Sequence, residues 1–158
     1  MSAPALPEDP AERVASVLAE VVEALDLEAK VSVEESEEEI AARIDGEDVG
    51  VLIGRRGQTI DAVQLLCYRI AFRGRGDRKR VSVDASGYRE RRREAIERQA
   101  DRAAERALET GKEIEIEPMS SSERKLAHDR LKDRPGIETF SEGEEPERCV
   151  IVDPLVGD

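Results

Sequence analysis

The residues with the most chemical potential lie mid-chain, at Gly54-Arg55-Arg56-Gly57. Two glycines three apart allow a sharp turn, and no Cβ stands between the backbone amides and an approaching anion. The apolar periodicity resumes directly after the loop, so the N-terminus of a helix adds a partial positive charge there. Arg55 and Arg56 place full charges at the tip. Together these features suit a grip on a sugar-phosphate backbone. Taken alone, such a pair of glycines more often marks an ordinary helix–helix turn.

A second pair is Arg124 and His128 in Glu123-Arg-Lys-Leu-Ala-His128. Four residues apart on a helix, they share one face and could hold a phosphate between a guanidinium and an imidazole. Both side chains are expected to project to solvent, with Arg148 near them. A surface arginine beside an unrelated histidine is the simpler reading of the pair by itself. A phosphoesterase built on His128 with Asp129 or Glu123 would need a second positioned group and a pocket, and a short exposed helix offers neither. The chain has no Walker lysine motif, metal-ligand cluster or nucleophile motif, so no enzyme, cofactor or metal is expected.

The elements that must carry these residues follow from periodicity. Residues 1–9 read as a flexible lead-in, with Asp9 capping and Pro10 opening a helix over about 10–26. Lys30–Glu34 and Ile40–Ile44 alternate like paired strands. After the glycine loop, Ile60, Val63, Leu66, Cys67, Ile70 and Ala71 fall on one helical face. Arg80–Asp84 is another strand. A charged helix from Tyr88 to about Leu108 has a narrow stripe of Ile96, Ala100, Ala103 and Ala107. Glu113–Glu117 then alternates strictly, Ser120–Ser122 offer caps for a helix with Leu126, Ala127 and Leu131, and Ile137–Phe140 and Cys149–Val152 close a second α/β unit. The expected domains are 10–86, a bridging helix 87–111, and 112–158.

Composition limits the function. The 158 residues include 3% aromatics and no tryptophan, so stacking of bases on rings cannot dominate recognition. The net charge of −12 is unevenly spread: residues 1–50 carry −12, 51–112 carry +7 and 113–158 carry −7. A basic middle between acidic ends accommodates a polyanion where the mean charge would repel one. Cys67 and Cys149 are far apart, in no metal-ligand spacing, and are expected to be buried and unpaired. With no secretory segment and no apolar run approaching the roughly 18 residues of a membrane helix, a cytoplasmic protein without membrane insertion is expected.

In this order of elements, Val51-Leu-Ile-Gly-Arg-Arg-Gly-Gln-Thr-Ile60 resembles the signature of a type II KH domain, α-β-β-α-α-β. The Arg-x-x-x-His helix, Thr139–Gly143, and Arg148 before an apolar strand resemble the R-3-H domain. With the intervening Gly87–Arg92, the chain is similar to the bacterial Jag/KhpB family. Lys125 stands where a second arginine is usual, and the extra N-terminal module of many such proteins is expected to be absent. The resemblance implies an α+β protein in which a long helix joins a KH domain to a small R-3-H domain. It implies RNA binding by Ile53, Gly54, Arg55, Arg56, Gly57, Gln58 and Thr59, with Arg124, His128 and Arg148 on the second domain. Bases would lie over an apolar groove for which Ile53, Ile60 and Val63 are candidates, though a core role fits them as well. Single-stranded RNA, or single-stranded DNA, is the implied ligand and a small KH protein the implied partner. Regulation or chaperoning of RNA and control of cell-envelope growth are the implied setting. The alternative is a protein–protein adaptor.

Overall fold

The computed structural model describes residues 5–156. The chain divides into two compact units, 1–89 and 90–158, each with its own core.

The first unit runs α1 (Pro10–Ala24), β1 (Ala29–Glu35), β2 (Glu39–Gly46), α2 (Gly50–Ile53), α3 (Gln58–Ala71) and β3 (Arg80–Ala85). This is the α-β-β-α-α-β order of a type II KH domain. Asp9 accepts a hydrogen bond from the Glu12 N–H at 3.1 Å, and Pro10 occupies the first turn, where its missing donor costs nothing. β2 is central, antiparallel to β1 and parallel to β3. The register sets Val33, Ala42 and Val83 in one row and Val31, Ile44 and Ala85 in another. Alternation then buries Ile40, Ala42, Ile44, Val81 and Val83 on one face, against Val14 and Leu18 of α1 and Ile60 and Cys67 of α3. Desolvation in this core pushes the Cys67 thiol up to about 11. Arg13 secures α1 to the end of α3, donating to the Ala71 and Arg73 carbonyls at 3.1 Å.

The second unit comprises most of α4 (Tyr88–Thr110), then β4 (Ile114–Glu115), α5 (Ser121–Leu131), β5 (Ile137–Glu142) and β6 (Cys149–Pro154). Its sheet is antiparallel in the order β4-β6-β5. Ile96, Ala100, Ala103, Ala104 and Ala107 of α4 are buried with Ile116, Ala127, Leu131, Val150 and Val152. Small side chains let the helix lie close to the sheet. The helix from Glu90 onward therefore belongs to the second core, which corrects the expectation of a separate bridge over 87–111.

Two further expectations change. Leu66 is 47% exposed, because α3 turns the face carrying Ile60, Cys67 and Ala71 inward and leaves Leu65 and Leu66 outside. The Glu113–Glu117 alternation contributes only Ile114 and Glu115 to the paired strand, with Ile116 joined to β6 by one bond to the Val150 carbonyl.

Candidate nucleic-acid interface

The loop between α2 and α3 is built around two left-handed glycines. Gly54 has φ 72° and ψ −178°, and a Cβ there would collide with the Thr59 side chain. Gly57 has φ 74°, and a Cβ there would stand 2.7 Å from Cε1 of Tyr88. Between them Arg55–Gly57 forms a single 3₁₀ turn in which Arg56 takes φ 54°, a rare conformation for a residue with a side chain. Gly57 is the N-cap of α3 and offers no side-chain acceptor, so the first amides of the helix are left without a side-chain cap. Arg55 is exposed and Arg56 half-buried. Neither guanidinium takes part in any of the ion pairs among the described residues. The loop thus gathers uncapped donors, a helix N-terminus and two uncommitted cations.

The flanking residues divide into support and surface. Ile60 is fully buried in the core and cannot meet a base. Ile53 and Val63 pack against that core but remain half-buried, which leaves part of each side chain accessible. Gln58 and Thr59 are exposed. Tyr88, whose ring lies against Gly57, was not singled out by sequence reasoning. The available signal was its place directly after Gly87, at the start of a helix.

In the second unit a capping box fixes the phase of α5. Ser120 accepts from the Glu123 N–H, and Glu123 accepts from the Ser120 N–H at 2.9 Å. Arg92 also binds Glu123, at 2.8 Å. This phase turns Arg124, Ala127 and Leu131 inward. Arg124 is only 8% exposed, which corrects the expectation that it projects to solvent. It donates to the Met119 carbonyl at 2.7 Å and to Glu145 at 2.6 Å. The charge is kept inside because a carboxylate and a carbonyl satisfy it.

His128 is half-buried between two hydroxyls of β5, with Nδ1 2.7 Å from Thr139 Oγ1 and Nε2 3.0 Å from Ser141 Oγ. Burial, and then the Arg124 guanidinium, hold the imidazole below its ordinary value of 6.5, with Asp129 opposing. A neutral imidazole donates from one nitrogen and accepts at the other, and a hydroxyl can do either. Arg148 donates to the Gly143 carbonyl at 2.6 Å and to the Ser141 carbonyl at 3.4 Å. The three residues therefore converge on Ser141–Glu145, joined through that segment and not through a shared open face. Among the described residues no group of three or more His, Cys, Asp or Glu side chains could hold a metal ion. Among them, too, no helix is long and apolar enough to cross a membrane.

Comparison with known proteins matches residues 11–84 to the KH domain of KhpA/KhpB and residues 94–154 to the R-3-H domain. The RNA-binding protein KhpB of Bacillus subtilis is 38% identical over 146 residues, covering 91% of this chain and 70% of that protein. The chain belongs to the KhpB family. The KhpB of Clostridium symbiosum is also 38% identical, over 137 residues, and this chain spans 62% of that protein's length. The KhpB of Streptococcus pneumoniae (D39) is 32% identical over 146 residues and is spanned to 44%. Both domains of the KhpB architecture are thus present, in the order of the two units described above.

Proposed function

We propose that this chain binds single-stranded RNA and that the Gly54–Gly57 loop makes the principal contact. One observation carries the reading: an uncapped helix N-terminus and two uncommitted arginines meet where the glycine backbone leaves room for a phosphate. Relatives named as RNA-binding proteins and the KH-family match support it. Phosphates would lie along the Gly54 and Gly57 backbone, with Arg55 and Arg56 to either side and Gln58 and Thr59 at the helix start. Bases would lie over the accessible parts of Ile53 and Val63. Ile60 supports this surface from beneath.

The R-3-H unit adds a smaller contact. Arg148 and His128 border it, and Arg124 reaches a phosphate only by exchanging Glu145 for it, one oxyanion for another. The same geometry accepts single-stranded DNA, and the RNA preference must come from contacts to the 2′-hydroxyl. RNA regulation or chaperoning in the cytoplasm, acting on cell-envelope growth with a small KH protein as partner, is the setting we assign to it.

The test is Arg55→Asp with Arg56→Asp. Both side chains lie outside the core, and both glycines stay, so the fold survives. Each phosphate contact to a single strand contributes about 0.7 to the slope of log affinity against log salt, so losing two flattens it by roughly 1.4. Affinity for an oligouridine is read at several salt concentrations, with circular dichroism confirming the fold. A folded double variant with unchanged affinity and slope would rule the loop out.

A further inference from the structure

The second unit contains a groove of about 740 Å³ to which the proposed function assigns no role. One wall is a face of α4 carrying Gln99, Arg102, Ala103 and Arg106. The other is formed by Ile114, Glu115, Ile116 and Glu117. Consecutive strand residues point to opposite faces of a sheet, so a groove that touches all four runs along the strand's edge. β4 is an edge strand, with β6 on one side only. The Ile116 N–H donates to the Val150 carbonyl at 2.9 Å. In an antiparallel ladder the neighbouring residues then turn their N–H and C=O the other way, so Glu115 and Glu117 present theirs to the groove. Five alternating residues, Glu113–Glu117, have the pattern of a strand, yet only Ile114 and Glu115 form the paired strand, with Ile116 joined to β6 through its bond to Val150. Across the groove, Gln99 Oε1 is shielded from solvent and has no hydrogen-bond partner among the described residues. A buried acceptor without a donor is costly, and a turn of the Gln99 amide toward the groove would let an incoming N–H satisfy it.

We propose that this groove takes an extended, basic polypeptide segment, which pairs with the free edge of β4 as an added strand. The backbone groups at Glu115 and Glu117 supply the ladder. Ala103, Ile114 and Ile116 accept a small aliphatic side chain at alternate positions. Glu105, Glu109, Glu115 and Glu117 outnumber Arg102 and Arg106 along the lining, which fixes the sign of the partner's charge. The same excess disfavours a nucleic-acid backbone. It also disfavours β4 of a second copy, because Glu113, Glu115 and Glu117 would meet their own kind across the strands. This surface lies outside the RNA loop, and the inference does not rest on the RNA reading.

The probe is an alternating Lys-Val peptide titrated into the ¹⁵N-labelled full chain. The expected result is movement of the amide signals of 114–117 and of the Gln99 side-chain amide, with those of 54–59 unmoved. Glu115→Pro removes an outward N–H without touching a ladder bond, a place where an edge strand tolerates proline. It should weaken the peptide by about tenfold, the scale of one or two lost hydrogen bonds. A peptide N-methylated at alternate residues removes the donors from the other partner and should lose as much, so the test holds even where Glu115→Pro unfolds. Arg55→Asp/Arg56→Asp should bind the peptide like the parent. Equal binding of the N-methylated peptide would reduce the contact to charge alone and overturn the proposal. So would shifts of 114–117 caused by oligouridine, or by raising the protein concentration without peptide.

Discussion

At the scale of single residues, the loop depends on a fit between Gly57 and Tyr88. Gly57→Ala adds a methyl group where φ is +74° and where the Tyr88 ring already stands. Left-handed strain and the steric conflict together should lower the stability of the first unit by about 1–3 kcal/mol, read from urea unfolding. Gly74→Ala is the control: it has the same sign of φ but no neighbour within 4 Å, so it should cost less. His128 makes a second residue-scale case. Its folded pKa is depressed, so the unfolded chain binds the proton more readily. Its stabilising contribution is complete above the unfolded value near 6.5 and is lost as pH falls from there through the lower folded value. Unfolding of the second unit, followed between pH 8 and pH 5, should show stability declining below about 6.5. His128→Asn should remove that part of the decline. A decline unchanged in His128→Asn would assign it to carboxylates instead.

At the scale of elements, legibility in the sequence followed locality. The cap at Asp9, the capping-box serine, the glycine loop, the alternation of β2 and β3 and the apolar run of β6 are written within a few residues of where they act. The burial of Arg124 is not, because its carboxylate partner, Glu145, is 21 residues away on another segment. The helix phase held a partial signal, since Arg124 falls in line with Ala127 and Leu131. Leu66 misled for the converse reason: a leucine beside the apolar stripe looks buried until the neighbouring helices define which arc is covered. The stripe of α4 was recognised, but alanines do not reveal which core they serve. Their burial with Ile116, Val150 and Val152 predicts that residues 90–158 fold alone, whereas residues 112–158 do not. The shorter fragment loses the apolar cover of its sheet and keeps a core too small to offset chain entropy. Far-UV circular dichroism and dispersion of amide signals compare the two. A folded 112–158 fragment would return α4 to the status of a bridge.

At the scale of the molecule, the charge distribution has to be reconciled with an anionic ligand. The basic middle seen in the sequence does not coincide with either folded unit. Divided at Arg89, each unit carries a net charge of −6. In the first unit the acids concentrate before residue 50 and the basic residues after it. On the proposed reading, attraction of RNA is therefore local, arising from Arg55, Arg56 and the helix amides, while the wider surface repels. The two effects have different ranges, and salt separates them. Near about 0.15 M salt the Debye length is roughly 8 Å, so the loop acts almost alone and affinity should rise as salt is lowered. Near about 0.01 M it reaches roughly 30 Å, comparable to the span of a small domain, and the acidic surface is felt at the loop. The plot of log affinity against log salt should then flatten or turn over at its low-salt end, unlike the straight line of a uniformly basic binder. Glu37→Gln with Glu38→Gln, both exposed between β1 and β2, should move the turnover to lower salt while leaving the slope at higher salt unchanged. Fluorescence anisotropy with a labelled oligouridine measures both proteins across the range. A straight line for the parent chain down to the lowest salt would show that the acidic surface is not felt at the loop, and would leave the local contacts as the whole of the electrostatics of RNA binding.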